Sequence, residues 1–148
     1  MTNKEIKIAY IEYDNINELA AKDKELAEAA INATATAYAP YSKFNVGAAV
    51  LFDDGEIVKG SNQENAAYPS GICAERTALF YASASRPHKA MAALAIAAAQ
   101  EDGLLETPVT PCGACRQVMA QLYEVQLSVY NHSKMFFKKK KKTWHLMK

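Results

Sequence analysis

Hydrophobic and polar residues alternate in the first half of the chain. The alternation covers residues 44–50, and a second apolar stretch follows at 57–60 after the polar turn at 53–56. Because side chains two positions apart share one face of a strand, this pattern predicts two strands joined as a β-hairpin.

Residues 16–37 instead carry apolar side chains at every third or fourth position. This spacing predicts an amphipathic helix, with Asp14 or Asn15 as its cap. Alanine-rich stretches that open at Cys73 and Cys112 predict two further helices, ending near residues 84 and 122.

The other apolar stretches predict strands. Residues 90–98 are apolar throughout, which is typical of a buried strand, although alanine alone would favour a helix. Residues 125–130 and 135–138 predict a closing hairpin, and residues 6–13 an extra strand or an ordered arm. A last helix is expected to begin within 143–147.

Length and charge narrow the class of protein. The 148 residues suffice for one domain, and 50% hydrophobic with 22% charged residues is ordinary for a soluble globular chain. Net charge is +1, but seven lysines and no acid follow Ser133, so the first 133 residues have a net charge of −6. A generally basic nucleic-acid binder is therefore disfavoured, and the lysine run at 138–142 is interpreted as a solvated segment, with RNA or DNA contact as the alternative.

No stretch approaches the 18 apolar residues of a membrane span, and the first residues lack the apolar core of a signal peptide. We therefore expect a cytoplasmic protein without a membrane partner. Three cysteines are too few for a disulfide framework, so they are buried, redox-active or metal-ligating residues.

The cysteine spacing favours a metal. Cys73 lies two residues before Glu75, and Pro111 precedes the pair Cys112 and Cys115. A structural zinc site needs four protein ligands, whereas three leave one position open for water, as in a catalytic zinc site. A redox pair or buried thiols are the alternatives for an isolated C-x-x-C, but Cys-x-Glu followed by P-C-x-x-C matches the signature of zinc deaminases.

The neighbours of these cysteines fit such a site. Each metal-binding segment opens a helix, whose N-terminal partial positive charge favours thiolates. Three thiolates on Zn²⁺ leave a net charge of −1, so Arg76, and less strongly Arg116, are candidates to donate hydrogen bonds to the sulfur atoms. A surface or subunit-contact role is the alternative for each arginine.

Four motifs resemble those of the small, homotetrameric cytidine deaminases. The likeness covers about residues 20–147 in order, and the Asn62-Gln-Glu element separates nucleoside deaminases from the wider superfamily. The matching motifs are Phe44-Asn-Val-Gly-Ala-Ala, Asn62-Gln-Glu-Asn-Ala-Ala-Tyr-Pro, Gly71-Ile-Cys-Ala-Glu-Arg-Thr-Ala and Pro111-Cys-Gly-Ala-Cys-Arg-Gln.

This resemblance implies a three-layer α/β/α fold around a mixed five-stranded sheet. It implies one Zn²⁺ per subunit, held by Cys73, Cys112 and Cys115, with Glu75 as the proton shuttle and Arg76 beside the ligands.

The resemblance also implies a nucleoside site. Phe44 would pack on the pyrimidine, Asn62 and Glu64 would hold the ribose hydroxyls, Ala74 would line the substrate site, and Tyr68 would come from a neighbouring subunit. An amide and a carboxylate two residues apart on an extended segment independently suit a ribose. The alternatives are a core role for Phe44 and a surface lysine partner for Glu64.

Domain boundaries follow the same likeness. Residues 1–14 are expected to be an N-terminal extension, and residues 15–148 a single deaminase domain. The family continues with a Leu-Pro-x-x-Phe element whose phenylalanine reaches a neighbouring subunit, and this sequence ends before it. A homotetramer is expected, with a dimer as the alternative.

The expected reaction is hydrolysis of cytidine, and of deoxycytidine, to the uracil nucleoside and ammonia in pyrimidine salvage. Competing functions are deamination of a cytosine-bearing antibiotic such as blasticidin S, editing of a polynucleotide, and an inactive zinc-binding subunit of an assembly. Asn62 with Glu64 favours a free nucleoside, and the acidic first 133 residues disfavour a polynucleotide.

Overall fold

The computed structural model describes residues 11–122, 128–131 and 135–138. Within them the chain forms three α-helices and six β-strands. The helices are α1 (Ala21–Ala33), α2 (Ala74–Ser85) and α3 (Gly113–Leu122); the strands are β1 (Asn45–Phe52), β2 (Ile57–Ser61), β3 (Met91–Gln100), β4 (Gly103–Leu104), β5 (Ser128–Asn131) and β6 (Met135–Lys138). Most of the arm expected over 6–13, residues 125–127 and the helix expected within 143–147 lie outside these ranges.

The strands form one mixed sheet in the order β2-β1-β3-β5-β6, and the two-residue β4 pairs with the end of β3. The β3–β5 pairing is parallel, whereas the other pairings in the described residues are antiparallel. The predicted α/β fold with a mixed five-stranded sheet is confirmed, with β4 as a short addition.

Alternating side chains on β1 and β3 create two cores. Even-numbered positions such as Val50 and Leu94 face α2 and α3, whereas odd-numbered positions such as Ala49 and Ala95 face α1. The three layers therefore are α1, the sheet, and α2 with α3. The alanines of β3 let α1 pack close to the sheet, and this tertiary burial overrides their helix propensity.

The helix predicted over 16–37 is divided. A short 3₁₀ helix covers Ile16–Glu18, and the side chain of Asn15 caps it by accepting a hydrogen bond from the Asn17 N–H at 2.9 Å. Leu19 then adopts an extended conformation and is buried against Ala27. Burial of this leucine explains why α1 begins only at Ala21.

Gly60 brings α2 close to the sheet. A Cβ at this position would overlap the backbone of Ala78 and lie 3.0 Å from the Ala74 carbonyl oxygen. Only glycine therefore allows β2 to approach the first turns of α2, where Cys73 and Glu75 begin the helix.

The other end of α2 is joined to the β1–β2 turn by charge. Arg86 donates to both carboxylate oxygens of Asp54, at 3.1 and 2.6 Å, and its guanidinium also lies 2.9 Å from Glu56. The Arg86 guanidinium stacks over Phe52, 4.8 Å from the ring centroid. No helix within the described ranges is long and apolar enough to cross a membrane.

Candidate metal centre and substrate site

The N-termini of α2 and α3 bring the three cysteines together. The Cys73 carbonyl accepts the Thr77 N–H at 3.0 Å, and the Cys112 carbonyl accepts the Arg116 N–H at 2.9 Å. Each of these two cysteines is therefore the residue that caps its helix. Cys115 follows within the first turn of α3, so its thiol faces the same point.

The sulfur atoms have the spacing of zinc ligands. Cys112 Sγ lies 3.9 Å from Cys73 Sγ and 3.4 Å from Cys115 Sγ, and all three sulfur atoms lie within 4.8 Å of one another. Tetrahedral zinc with Zn–S bonds near 2.3 Å separates its sulfur ligands by about 3.8 Å. The donor set therefore fits Zn²⁺. Within the described part of the chain, this cluster consists of the three cysteines alone.

The thiols differ in environment. Burial raises the pKa of Cys115, and the nearby Glu75 carboxylate raises it further. Burial also acts on Cys112, but hydrogen bonds led by the Cys115 N–H, at 3.4 Å from Cys112 Sγ, outweigh it and lower the Cys112 pKa. A divalent cation would compensate the cost of holding both as thiolates at one point.

Arg76 lies beside the sulfur cluster. Its Nη2 donates to Cys73 Sγ at 3.7 Å, whereas Arg116 donates to the Pro111 carbonyl at 3.2 Å rather than to a sulfur atom. The Nε of Arg76 is buried without a hydrogen-bond partner among the described residues. Arg76 thus places a positive charge beside the sulfur cluster.

Glu75 is buried against the cysteines. Its residue is 6% exposed, and Ala74 before it is fully buried. Burial raises the pKa of Glu75, against hydrogen bonds from its own backbone and from the Cys115 thiol. A carboxyl group buried next to the three cysteines is placed to take up and release a proton.

Hydrogen bonds join the segment that carries Asn62 and Glu64 to residues 41–46, and the Gln63 N–H donates to the carbonyl of Ile72, the residue before Cys73. Asn62 follows β2 directly; its Nδ2 donates to the Phe44 carbonyl at 2.9 Å, and its Oδ1 accepts the Val46 N–H at 2.7 Å. Glu64 Oε2 accepts the N–H groups of Tyr41 and Ser42, at 2.9 and 3.2 Å. Sequence reasoning missed these backbone partners because they lie more than 15 positions away along the chain.

Tyr68 lies on a short 3₁₀ helix, Tyr68–Ser70, and is 91% exposed. A tyrosine this exposed within one chain is free to contact a second molecule.

A family model described as the cytidine and deoxycytidylate deaminase zinc-binding region matches residues 20–131. A cytidine deaminase of Halalkalibacterium halodurans is 49% identical over 105 residues, which are 71% of this chain and 75% of the relative. A cytidine deaminase of Sporosarcina psychrophila is 47% identical over 116 residues, covering 78% and 76% of the two chains.

Solved structures agree with these relatives. The crystal structure of a cytidine deaminase from Burkholderia pseudomallei superposes with a TM-score of 0.63 at 39% identity, covering 77% of this chain and 90% of that one. A cytidine deaminase from Mycobacterium tuberculosis gives 0.63 at 35% identity, with 74% and 85% covered. Fold and sulfur cluster define a zinc-dependent deaminase, and the chain belongs to the cytidine and deoxycytidylate deaminase family. The predicted family and zinc cofactor are confirmed.

Proposed function

We propose that the protein hydrolyses cytidine, and deoxycytidine, to the uracil nucleoside and ammonia, as a pyrimidine salvage enzyme of the cytoplasm. The observation that carries this proposal is the cluster of Cys73, Cys112 and Cys115 with the buried Glu75 beside it, at two helix N-termini of a deaminase-family chain. The relatives named above are cytidine deaminases, which favours a nucleoside over an antibiotic or a polynucleotide.

In this proposal Cys73, Cys112 and Cys115 hold the zinc ion, and Arg76 stabilises the Cys73 thiolate. When bound, zinc lowers the pKa of a coordinated water toward ~7 and so supplies the nucleophile at neutral pH. The buried thiol of Cys115 and the capping thiol of Cys112 are both fixed by α3, so they would hold the zinc ion at the start of this helix.

Glu75 moves the protons. It accepts one from the attacking water and gives it to N3 of the cytosine ring while the oxygen bonds to C4. It then carries the second proton of that water to the amino group, which leaves as ammonia as the C4–N4 bond breaks. One water is consumed, and C4 gains a carbonyl oxygen. Because Glu75 serves as base and then as acid, it must not itself ligate the metal.

Four further residues are assigned to the nucleoside. Phe44 packs on the pyrimidine, Asn62 and Glu64 bind the ribose hydroxyls, and Ala74 closes the site beside the metal. The hydrogen bonds from Asn62 to the Phe44 carbonyl, and from the Tyr41 and Ser42 N–H groups to Glu64, support the grouping of the first three residues.

The domain is proposed to span residues 15–148 after an N-terminal extension, and to assemble as a homotetramer, with a dimer as the alternative. Tyr68 is proposed to complete the site of a neighbouring subunit, which its 91% exposure supports.

The test is an ultraviolet assay of the zinc-loaded protein with cytidine, and metal analysis of Cys112→Ala beside it. We expect conversion to uridine by the native chain, and loss of both zinc and turnover in Cys112→Ala. Absence of turnover in protein with one zinc per chain would overturn the reaction. Retention of stoichiometric zinc by Cys112→Ala would overturn the ligand set.

A further inference from the structure

Phe44 lies at the end of a loop, residues 38–44, whose start lies beside the segment 61–64. The Tyr38 N–H donates to the Asn62 carbonyl at 2.9 Å, and the Glu64 N–H donates to the Tyr38 carbonyl at 2.8 Å. These two backbone bonds fix the start of the loop, and the Lys43 N–H donates to the Ala39 carbonyl at 3.1 Å. The N–H groups of Tyr41, Ser42 and Phe44 are left to be held by other groups.

Side chains hold that remainder. Glu64 Oε2 accepts two successive backbone N–H groups, from Tyr41 at 2.9 Å and Ser42 at 3.2 Å. The Phe44 N–H donates to Ser42 Oγ at 3.1 Å. Hydrogen bonds from Ser42 and then Tyr41 lower the pKa of Glu64, so it accepts them as a carboxylate.

Lys43 shows why the loop needs support. Its φ is +56°, and it is the one non-glycine residue with positive φ in the described ranges. This left-handed conformation is unfavourable for a residue with a Cβ and persists only where surrounding contacts impose it. Glu64 on one side of Lys43 and Asn62 on the other, through the Phe44 carbonyl, supply those contacts.

We propose that Glu64 is a positioning residue for Phe44: its carboxylate holds the Tyr41–Ser42 turn and thereby sets the aromatic ring over the base, independently of any sugar hydroxyl. Oε2 performs this role, and Oε1 remains for the ribose. The inference rests on the proposed function, because it assigns Phe44 to the pyrimidine.

A substrate without the sugar hydroxyls separates the two roles. We compare cytidine with 2′,3′-dideoxycytidine in the native chain, Glu64→Ala, Glu64→Gln and the control Glu106→Ala, which removes an exposed carboxylate. Positioning predicts that Glu64→Ala lowers kcat/KM about 10- to 100-fold for both substrates, as a small misplacement of a substrate-positioning group does. Glu64→Gln should retain more of the native kcat/KM than Glu64→Ala for both substrates, because the glutamine amide oxygen still accepts hydrogen bonds from the two N–H groups.

A loss confined to cytidine, with dideoxycytidine turned over by Glu64→Ala as by the native chain, would overturn the proposal. Hydrogen exchange supplies a readout that needs no turnover. In zinc-loaded protein without substrate, Glu64→Ala should speed exchange in the peptide 38–46, whereas Glu106→Ala should not. Unchanged exchange of this peptide in Glu64→Ala would refute the positioning role, even if the native chain turns over cytidine. Faster exchange would show that Glu64 holds the loop, even if cytidine is not a substrate.

Discussion

At the scale of single residues, each of the three clustered cysteines has a different neighbouring group. Arg76 lies against Cys73, Glu75 against Cys115, and the Cys115 N–H against Cys112. Each ligand therefore has a neighbour that affects its charge. Such neighbours of metal ligands orient them and set the affinity for the ion.

Replacing Arg76 tests this arrangement. Arg76→Ala removes the donor to Cys73 Sγ and the cation nearest to three thiolates, so zinc affinity should fall about 10- to 100-fold. Competition with a chromogenic chelator measures it. Arg116→Ala is the matched control, because Arg116 donates to a carbonyl rather than to a sulfur atom. Equal losses in the two variants would contradict a specific role for Arg76.

At the scale of elements, the site depends on where α2 lies. The helix carries Cys73 and Glu75 at its start, contacts β2 through Gly60, and is joined to the β1–β2 turn at its end. Substitutions near either end of α2 can therefore test the position of this helix without replacing a site residue.

Gly60→Ala should displace the start of α2. The added Cβ meets the backbone of Ala78, which cannot rotate away as a side chain could, so we expect about 1–3 kcal/mol lower stability. Urea unfolding measures it. Gly113→Ala is the matched control: its Cβ would meet only the Arg116 guanidinium at 3.9 Å, and helix α3 should be unchanged or slightly more stable.

Asp54→Asn should show a pH-dependent effect at the other end of α2. The hydrogen bond from Arg86 leads the contacts that hold the pKa of Asp54 well below its usual range. Since the folded pKa is lower than the unfolded one, the contribution of Asp54 is fully present above about pH 4 and disappears as pH falls further. The difference in unfolding free energy between native chain and variant should therefore shrink from pH 6 to pH 3. A constant difference would show that the ion pair does not act.

At the scale of the whole molecule, much of the fold was predictable and some was not. Alternation predicted the β1–β2 hairpin, but not that both faces of β1 are buried, one against α2 and the other against α1. The division at Leu19 was not predictable, since it depends on burial against Ala27 in a helix that had not yet been placed.

The site divides in the same way. Cysteine spacing and the glutamate two residues after Cys73 are local signals, and they indicated the metal cluster that the structure brings together. The bonds of Glu64 to Tyr41 and Ser42 join positions more than 20 residues apart, so only the folded chain reveals them. The roles of the individual site residues stay predictions until measured.

Assembly belongs to this scale as well. Light scattering should give a mass about four times the 16.2 kDa subunit if the chain forms the expected tetramer. Mixing Tyr68→Ala with Glu75→Gln subunits tests the shared site. A Tyr68→Ala subunit still carries Glu75, and a neighbouring Glu75→Gln subunit can supply the missing Tyr68, which restores a complete site. Activity above the sum of the separate variants is expected. A mixture that never exceeds that sum would contradict a contribution of Tyr68 across subunits.

The proposed role of Glu75 is to carry protons beside a thiolate-bound zinc ion. The most direct measurement is the kcat of Glu75→Gln for cytidine, with zinc content determined on the same sample and Glu106→Gln as control. Glutamine keeps the shape and loses the proton shuttle, so we expect kcat to fall by at least about 10²–10⁴-fold with one zinc per chain retained. Turnover of cytidine by Glu75→Gln at the rate of the control would show that Glu75 does not carry the protons.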